Sequence, residues 1–394
     1  MKLPIYMDHH ATTPVDPRVL AAMMPYFGEK FGNAASVTHA FGWEAEEAVE
    51  TARRQIAGAI GAQPKEIIFT SGATEADNLA LKGIMRAAGP GSHLIISAIE
   101  HKAVLDCARR LEEEGTKVAY LPVGHDGLVD PEAVREAITD RTVLISIIHA
   151  NNEIGVIQPL RAISRIAHER GIPVHTDAAQ SLGRIPMDVV ADGIDLLSLS
   201  AHKIYGPKGV GALYIRGGRP RIRLAPLMDG GGHERGLRPG TLPVPLVVGF
   251  GAAVEFAMGE LPAESQRLAG LRDRLMHAIM EHLDGVRLNG ALSPRLPNNL
   301  NLSFASVEGE AILLGLKDDV ALSSGSACTS AIPEASHVLA AIGLTVELAH
   351  ASVRFGLGRS NTAEEIDYVA GRVVETVQRL RRMSPLYRIS QPPR

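Results

Sequence analysis

Apolar and polar positions follow two different periods along residues 44–215 of the chain. Amphipathic stretches with helical spacing, such as residues 44–61 and 104–114, are separated by short apolar runs, such as residues 93–97 and 143–148. Short apolar runs between turn residues are typical of buried strands. Strands that alternate with helices in this way predict a mostly parallel sheet covered by helices.

The alternation stops at residues 216–245, which are rich in Gly, Pro and Arg and include three consecutive glycines at 230–232. Long loops inside compact domains usually carry function. A helical stretch at 245–282, strands at 299–304 and 352–357, and a final helix that begins with a Thr362–Glu365 capping box follow. We place a domain boundary near residue 260. The prediction is a large domain at 15–260 and a smaller α+β domain formed by 1–14 and 261–394.

Composition narrows the possible classes of protein. The 394 residues, 45% of them hydrophobic, suffice for two or three domains, and the net charge of -4 argues against nucleic-acid binding. Two cysteines and the absence of an apolar signal segment in residues 1–10 favour a reducing, cytoplasmic compartment. The longest apolar run, at 246–258, is interrupted by Glu255, so we predict no membrane span.

The first candidate motif is the sequence TSGATE at residues 70–75, which reads as strand, turn and helix start. Backbone amides of Ala73 and Thr74 would point out of a helix N-terminus, where anions such as phosphate bind well. Simple capping of the helix by Ser71 or Thr74 explains the same pattern equally well.

Asp177 and Lys203 each follow a predicted buried strand. Asp177 can pair with a protonated pyridine nitrogen or cap the next helix, and Gln180 faces the same way. Lys203 is either a surface lysine or a partly buried one whose lowered pKa suits Schiff-base chemistry. Carboxyl ends of parallel strands meet at one sheet edge. A phosphate cradle, a carboxylate and a lysine together are what pyridoxal phosphate (PLP) needs.

These motifs, in this order, resemble the cysteine desulfurases of the NifS/IscS class over nearly the whole chain. Further matching segments are EHK at 100–102, NNEIGV at 151–156, SAHKIYGPKG at 200–209, GGGHERGLRPGT at 230–241 and SSGSACTS at 323–330. The resemblance implies the aspartate-aminotransferase-like PLP fold type I, an α/β fold with a mostly parallel mixed sheet. His9 and His10 depart from the pattern, since other members often have small polar or aromatic residues there.

The resemblance also implies a role for individual residues. Lys203 is expected to hold the cofactor covalently, Asp177 to pair with its pyridine nitrogen, and His101 to stack on its ring and move protons. Gln180 is expected to bond the phenolic oxygen, and the phosphate is expected to bind Ala73, Thr74, Ser200 and His202. Thr241 is expected to reach the phosphate in the neighbouring subunit of a homodimer. Asn152 is expected to contact cofactor and substrate, and Arg354 the substrate carboxylate.

Cys328 distinguishes the expected reaction from that of other PLP enzymes. It stands among Ser, Gly, Ala and Thr, so we expect a mobile, exposed loop, whereas Cys107 is expected in the core. The resemblance implies that the Cys328 thiolate takes sulfur from L-cysteine, giving L-alanine and a persulfide. That sulfur would pass to an iron–sulfur scaffold or another acceptor, and Cys328 could transiently ligate a cluster there.

Three other classes compete with this interpretation. Another PLP lyase, such as a selenocysteine lyase, would not need Cys328 in a mobile loop. A metal hydrolase would fit the 15 histidines, but the sequence has no HExxH motif. A non-catalytic sulfur-relay or scaffold-binding protein would not need Lys203, Asp177 and His101.

Overall fold

A computed structural model describes residues 2–324 and 335–383 of the chain. The strands are β1 (Ile5–Tyr6), β2 (Ile67–Thr70), β3 (His93–Ser97), β4 (Lys117–Leu121), β5 (Thr142–Ser146), β6 (Val174–Asp177), β7 (Leu196–Ser200), β8 (Gly211–Ile215), β9 (Val286–Leu288), β10 (Asn299–Phe304), β11 (Val320–Ala321) and β12 (Ser352–Gly356). The α-helices are α1 (Pro17–Met23), α2 (Pro25–Gly28), α3 (Ala40–Ala59), α4 (Ala73–Ala88), α5 (Lys102–Glu113), α6 (Pro131–Ala137), α7 (Leu160–His168), α8 (Val244–His282), α9 (Gly309–Leu316), α10 (His337–Ala341), α11 (Val346–His350) and α12 (Ala363–Met383).

Seven strands form the central sheet, in the order β2-β8-β7-β6-β5-β3-β4. The strands β4, β3, β5, β6 and β7 run parallel to their neighbours, whereas β8 runs antiparallel to both β7 and β2. The predicted mostly parallel mixed sheet is therefore confirmed. Because β6 and β7 are parallel neighbours, with Asp177 opposite Ser198, their carboxyl ends lie side by side at one edge of the sheet.

A second sheet contributes to a separate hydrophobic cluster. It has the order β12-β10-β9, and the short pair β1 and β11 lies nearby in the same cluster. The long helix α8 contributes residues up to Ala257 to the cluster around the central sheet, and residues from Leu268 onward to the second cluster. The division into two domains near residue 260 stays a prediction, since α8 runs unbroken through that position.

Among the described residues, α8 is also the one helix long and apolar enough to cross a membrane. More than half of its apolar window, 56%, is buried inside the protein. Burial of this kind is typical of a core helix.

A buried ion pair covers the edge strand β2. The Arg53 guanidinium, from α3, donates two bonds of 2.8 and 2.9 Å to the Glu234 carboxylate and one of 2.8 Å to the carbonyl of Ile67. Glu234 in turn accepts a 2.7 Å bond from the backbone amide of Phe69. Because strand edges expose unpaired backbone groups, this pair both satisfies β2 and anchors the irregular segment 216–243 to it.

Candidate active site

A cavity of about 560 Å³ opens at the carboxyl ends of β6 and β7, beside the N-terminus of α4. Its wall includes nine of the residues that the sequence predicts, namely Ala73, Thr74, His101, Asn152, Asp177, Gln180, Ser200, His202 and Lys203. Arg354 lies behind this wall, and Thr241 is exposed and does not line the cavity. Cys328 lies outside the described residues. The structure thus brings together residues that lie far apart in the sequence.

The amino group of Lys203 is held at the cavity wall, so the surface-lysine alternative is wrong. Its Nζ donates to the carbonyl oxygens of His10 at 2.5 Å and Ala11 at 2.8 Å. Burial, helped by the nearby positive charge of Arg354, lowers the pKa of Lys203 to about 8. A lysine with this pKa has an appreciable fraction of free amine near neutral pH, which is the form that attacks an aldehyde.

Asp177 is a buried carboxylate at the floor of the cavity, 5% exposed. Its Oδ1 accepts a 2.9 Å bond from the amide of Ala179. Burial raises the pKa of Asp177, while His101 and Lys203 act in the opposite direction. A buried carboxylate is stable when a cation lies against it, so this position suits a protonated pyridine nitrogen.

A second buried carboxyl, Asp77 of α4, lies beneath Asp177. Neither of its oxygens has a hydrogen-bond partner of good geometry among the described residues, and the nearest ring nitrogen, His175 Nε2, is 3.6 Å away. Burial is the main cause that raises the pKa of Asp77 well above its usual value, and the negative charge of Asp177 adds to it. A neutral Asp77 leaves the negative charge of this pair on Asp177, where it faces the cavity.

The N-terminus of α4, where the sequence predicts an anion cradle, lies at the cavity. Its N-cap residue is Gly72, and no side chain caps the helix, so the expected alternative of capping by Ser71 or Thr74 is wrong. The turn packs directly on β8, where a Cβ at Gly211 would lie 2.6 Å from Gly72 Cα. Uncapped amides at a helix N-terminus, beside Ser200 and His202, fit a phosphate group.

His101 and Glu100 follow β3 at the opposite side of the cavity. The His101 ring faces the cavity and accepts a 3.2 Å bond from the amide of Ala103, so His101 also caps α5. Removal of the ring from water is the main cause that lowers the pKa of His101, which favours the neutral ring near pH 7. The fully buried Glu100 accepts bonds of 2.6 Å from Ser97 and 2.7 Å from the amide of Ile148 through Oε1.

Arg354 is buried, 4% exposed, and not turned to water as an isolated edge-strand arginine would be. Its NH1 donates to the carbonyl of Asn152 at 3.0 Å, and its NH2 pairs with Asp8 at 2.8 Å. Its buried Nε has no partner among the described residues. A buried guanidinium whose Nε has no partner, next to a cavity residue, suits a substrate carboxylate.

Sequence reasoning missed the contribution of the N-terminal segment, residues 8–13. Ala11 and Thr12 line the cavity, His10 bonds to both Lys203 and Gln180, and Thr12 Oγ1 lies 3.0 Å from His202 Nδ1. The only signal in the sequence was the departure at His9 and His10 from the family pattern.

The residues present fit PLP: an uncapped helix N-terminus for the phosphate, a buried carboxylate for the ring nitrogen, and a desolvated lysine for the aldehyde. Residues 5–369 match the family model described as aminotransferase class-V. Fold and site therefore define a PLP-dependent enzyme of this class.

Curated relatives and solved structures identify the group within that class. A cysteine desulfurase IscS from Anaeromyxobacter sp. (strain Fw109-5) is 58% identical, over 98% of this chain and 96% of the relative. One from Rickettsia rickettsii (strain Iowa) is 53% identical, over 99% and 95%. A solved NifS-like protein has 38% identity and a TM-score of 0.89, over 96% of this chain and 100% of its own. A structure of SspA in complex with cysteine has 40% identity and a TM-score of 0.80, over 90% and 98%. The chain belongs to the cysteine desulfurases.

The burial of Glu100 predicts a specific dependence of stability on pH. Burial raises the pKa of Glu100 to about 8. The folded state then holds this proton more tightly than the unfolded state, so stability falls as the pH rises from about 4.5 to about 8. A glutamine side chain at this position would accept the same two hydrogen bonds without carrying a charge.

Glu100→Gln should therefore leave the free energy of unfolding unchanged near pH 4.5 and increase it at pH 9, by on the order of 4 kcal/mol. Urea unfolding at both pH values measures the difference. The exposed Glu136→Gln should keep the pH dependence of the native protein. Equal effects of Glu100→Gln at both pH values would contradict this account.

Proposed function

We propose that this chain removes sulfur from L-cysteine by means of PLP, giving L-alanine and a persulfide on Cys328. The observation that carries the proposal is the convergence of Lys203, Asp177 and the α4 N-terminus on one cavity at the carboxyl edge of the sheet. Arg354, buried beside that cavity, supplies a site for the carboxylate of an amino-acid substrate.

The residues that line the cavity have different roles in this proposal. Bound PLP supplies an electron sink that stabilises negative charge on the substrate carbons. Asp177 keeps the ring nitrogen protonated, and the amides of Ala73 and Thr74 hold the phosphate together with Ser200 and His202. Lys203 would hold the cofactor, and its amino group, whose pKa burial lowers to about 8, could exchange protons with the substrate carbon.

His101 and the pair Asn152 and Arg354 orient the reaction. A mainly neutral His101 ring can stack on the cofactor and can accept or return a proton. Arg354 is fixed by Asp8 on one side and the Asn152 carbonyl on the other, so its remaining N–H donors keep a constant direction. Fixed donors of this kind hold a substrate carboxylate in one orientation.

Sulfur leaves the substrate by attack of the Cys328 thiolate. A bond between the two sulfur atoms forms as the carbon–sulfur bond of the substrate breaks. The electron pair of that bond stays on the substrate carbon, and addition of a proton to this carbon gives alanine. The product on the protein is then a persulfide, which a second thiol can accept.

The described residues on either side of Cys328 are bonded to residues close behind the cavity wall. Ser323 pairs with Arg354 through a 2.8 Å backbone bond, and Ser336 donates a 2.5 Å bond to Glu153. His337 donates to the carbonyl of Glu100 at 3.0 Å when its Nε2 carries the proton. The described residues before and after Cys328 thus bond to Arg354 and to the chain neighbours of the cavity residues His101 and Asn152, which supports a role for this thiol in the reaction.

We further propose a homodimer in which Thr241 contacts the phosphate in the partner's site. Thr241 is exposed and does not line the cavity of its own chain. Residues 27–43 carry four aromatic side chains that are each more than half exposed, Phe27, Phe31, Phe41 and Trp43. Large aromatic clusters on a protein surface usually mark an interface with another chain.

The persulfide sulfur is proposed to pass to an acceptor protein, such as an iron–sulfur cluster scaffold, with Cys328 as a transient cluster ligand. Relatives named cysteine desulfurase IscS support an acceptor of this kind. A cytoplasmic location agrees with a reaction that needs a free thiol, because reducing compartments keep cysteines unoxidised.

Replacement of Cys328 tests the reaction most directly. Cys328→Ser should keep the visible absorption of bound PLP and its change when L-cysteine is added. It should lose sulfide release in the presence of dithiothreitol by at least about 100-fold, because serine cannot accept sulfur. Alanine and sulfide formation, measured together, report the loss.

Cys107 offers the matched control, since it is the only other cysteine. Cys107 is buried in the core, and burial raises the pKa of its thiol to about 12. Cys107→Ala should release sulfide at the native rate. Native activity in Cys328→Ser would refute the persulfide route.

Removal of the exposed aromatic cluster tests the homodimer. The double variant Phe31→Asp and Trp43→Asp should sediment with the mass of one 42.0 kDa chain, whereas the native protein sediments with twice that mass. Val346→Asp, at a similarly exposed position, should remain dimeric. A native protein that sediments as a single chain would refute the homodimer.

A further inference from the structure

His10 binds the side chain of Gln180 at both ends of its amide. The ring Nδ1 of His10 lies 3.0 Å from Gln180 Oε1, and Gln180 Nε2 donates a 3.0 Å bond to the backbone carbonyl of His10. Both side chains are buried, His10 being 2% exposed. One residue therefore determines how this amide, which lines the cavity, is oriented.

The hydrogen-bond pattern specifies which atoms donate. The His10 carbonyl can only accept, so the amide nitrogen of Gln180 must face it and the amide oxygen must face the ring. The ring then carries its proton on Nδ1. Its Nε2 has none, so the 3.3 Å approach to the carbonyl of Asn298 is a contact and not a hydrogen bond.

Charges around the ring favour this neutral form. Arg354, Arg184 and Lys203 are the charged groups that act on His10, and all three are positive. Burial and these charges lower the pKa of His10 well below its usual value, so a second ring proton is not held.

The opposite orientation of the Gln180 amide is unfavourable. It would place the amide oxygen of Gln180 3.0 Å from the carbonyl oxygen of His10, and two oxygen atoms without a hydrogen between them repel each other.

We propose that His10 is a positioning residue, which holds the second N–H of the Gln180 amide toward the phenolic oxygen of the bound cofactor. This inference rests on the proposed function, in which Gln180 bonds that oxygen. The amide nitrogen has two hydrogens, and the His10 carbonyl uses one of them. The other is left for the cavity.

Loss of the His10 ring should weaken this orientation, because the amide oxygen of Gln180 loses its donor and only the backbone carbonyl at position 10 still holds the amide. A terminal amide has two nearly equivalent orientations about its last torsion, and only one of them presents a donor to the cofactor. A donor that faces the phenolic oxygen stabilises its ionised form. Without it, the pH midpoint of the visible absorption change of bound PLP should rise.

Four variants of the PLP-bound protein separate the possible roles: Gln180→Ala, His10→Ala, the double variant, and His10→Asn. The pH midpoint of the absorption change is the readout. Gln180→Ala should raise it by about one pH unit, as expected for one hydrogen bond to a charged oxygen. His10→Ala should raise it by a smaller amount, because the backbone carbonyl at position 10 remains. The double variant should add nothing to Gln180→Ala, because His10 acts through that side chain.

His10→Asn provides the conservative rescue, since an Asn amide nitrogen can donate from about the same place as Nδ1. It should return the midpoint to within about 0.3 pH unit of the native value, a fraction of one hydrogen bond. Thermal unfolding of each PLP-bound variant identifies any that is not folded. If His10→Ala does not fold, His10→Asn still tests the proposal.

The outcomes distinguish this inference from the proposed function on which it rests. If Gln180→Ala leaves the midpoint unchanged, Gln180 does not bond the phenolic oxygen and the proposed role of Gln180 fails. If Gln180→Ala shifts the midpoint and His10→Ala or His10→Asn does not behave as described, only the role of His10 is overturned. Additive shifts in the double variant would also overturn it.

Discussion

The segment from Asp8 to Thr13 is the constraint on which the geometry of the site depends. It bonds to Arg354 through Asp8, to Gln180 through His10, and to Lys203 through two carbonyls. Thr13 adds a bond to the carbonyl of His202. These contacts connect the second sheet with the carboxyl edge of the central sheet, so the two halves of the cavity cannot move apart without breaking them.

Desolvation gives the site its chemistry. Removal from water lowers the pKa of Lys203 to about 8 and raises the pKa of Asp177, and each change is limited by the opposite charge of the other. The raised pKa of Asp77 leaves the negative charge of the two buried carboxyls on Asp177. The floor of the cavity is therefore complementary to a cofactor with a cationic ring nitrogen and an aldehyde.

The sequence predicted the central sheet well, because its strands and helices differ clearly in apolar period. The predicted strand at 93–97 has the same bounds as β3. Asp177 and Ser200 are the last residues of β6 and β7, and Lys203 follows β7, so all three lie at carboxyl ends of strands. The short elements β1, β9, β11, α10 and α11 were missed, since two to five residues are too few to show a period. The role of His10 could not be predicted, because its partner lies 170 positions away and only the fold brings them together.

The central claim is that Lys203 holds the cofactor. Treatment of the PLP-bound protein with borohydride fixes the cofactor on its lysine, and mass spectrometry of the digested protein locates it. Lys203 should carry the added mass, because burial lowers its pKa to about 8. Lys208 also lines the cavity but is exposed. Modification of Lys208, with Lys203 free, would contradict the account.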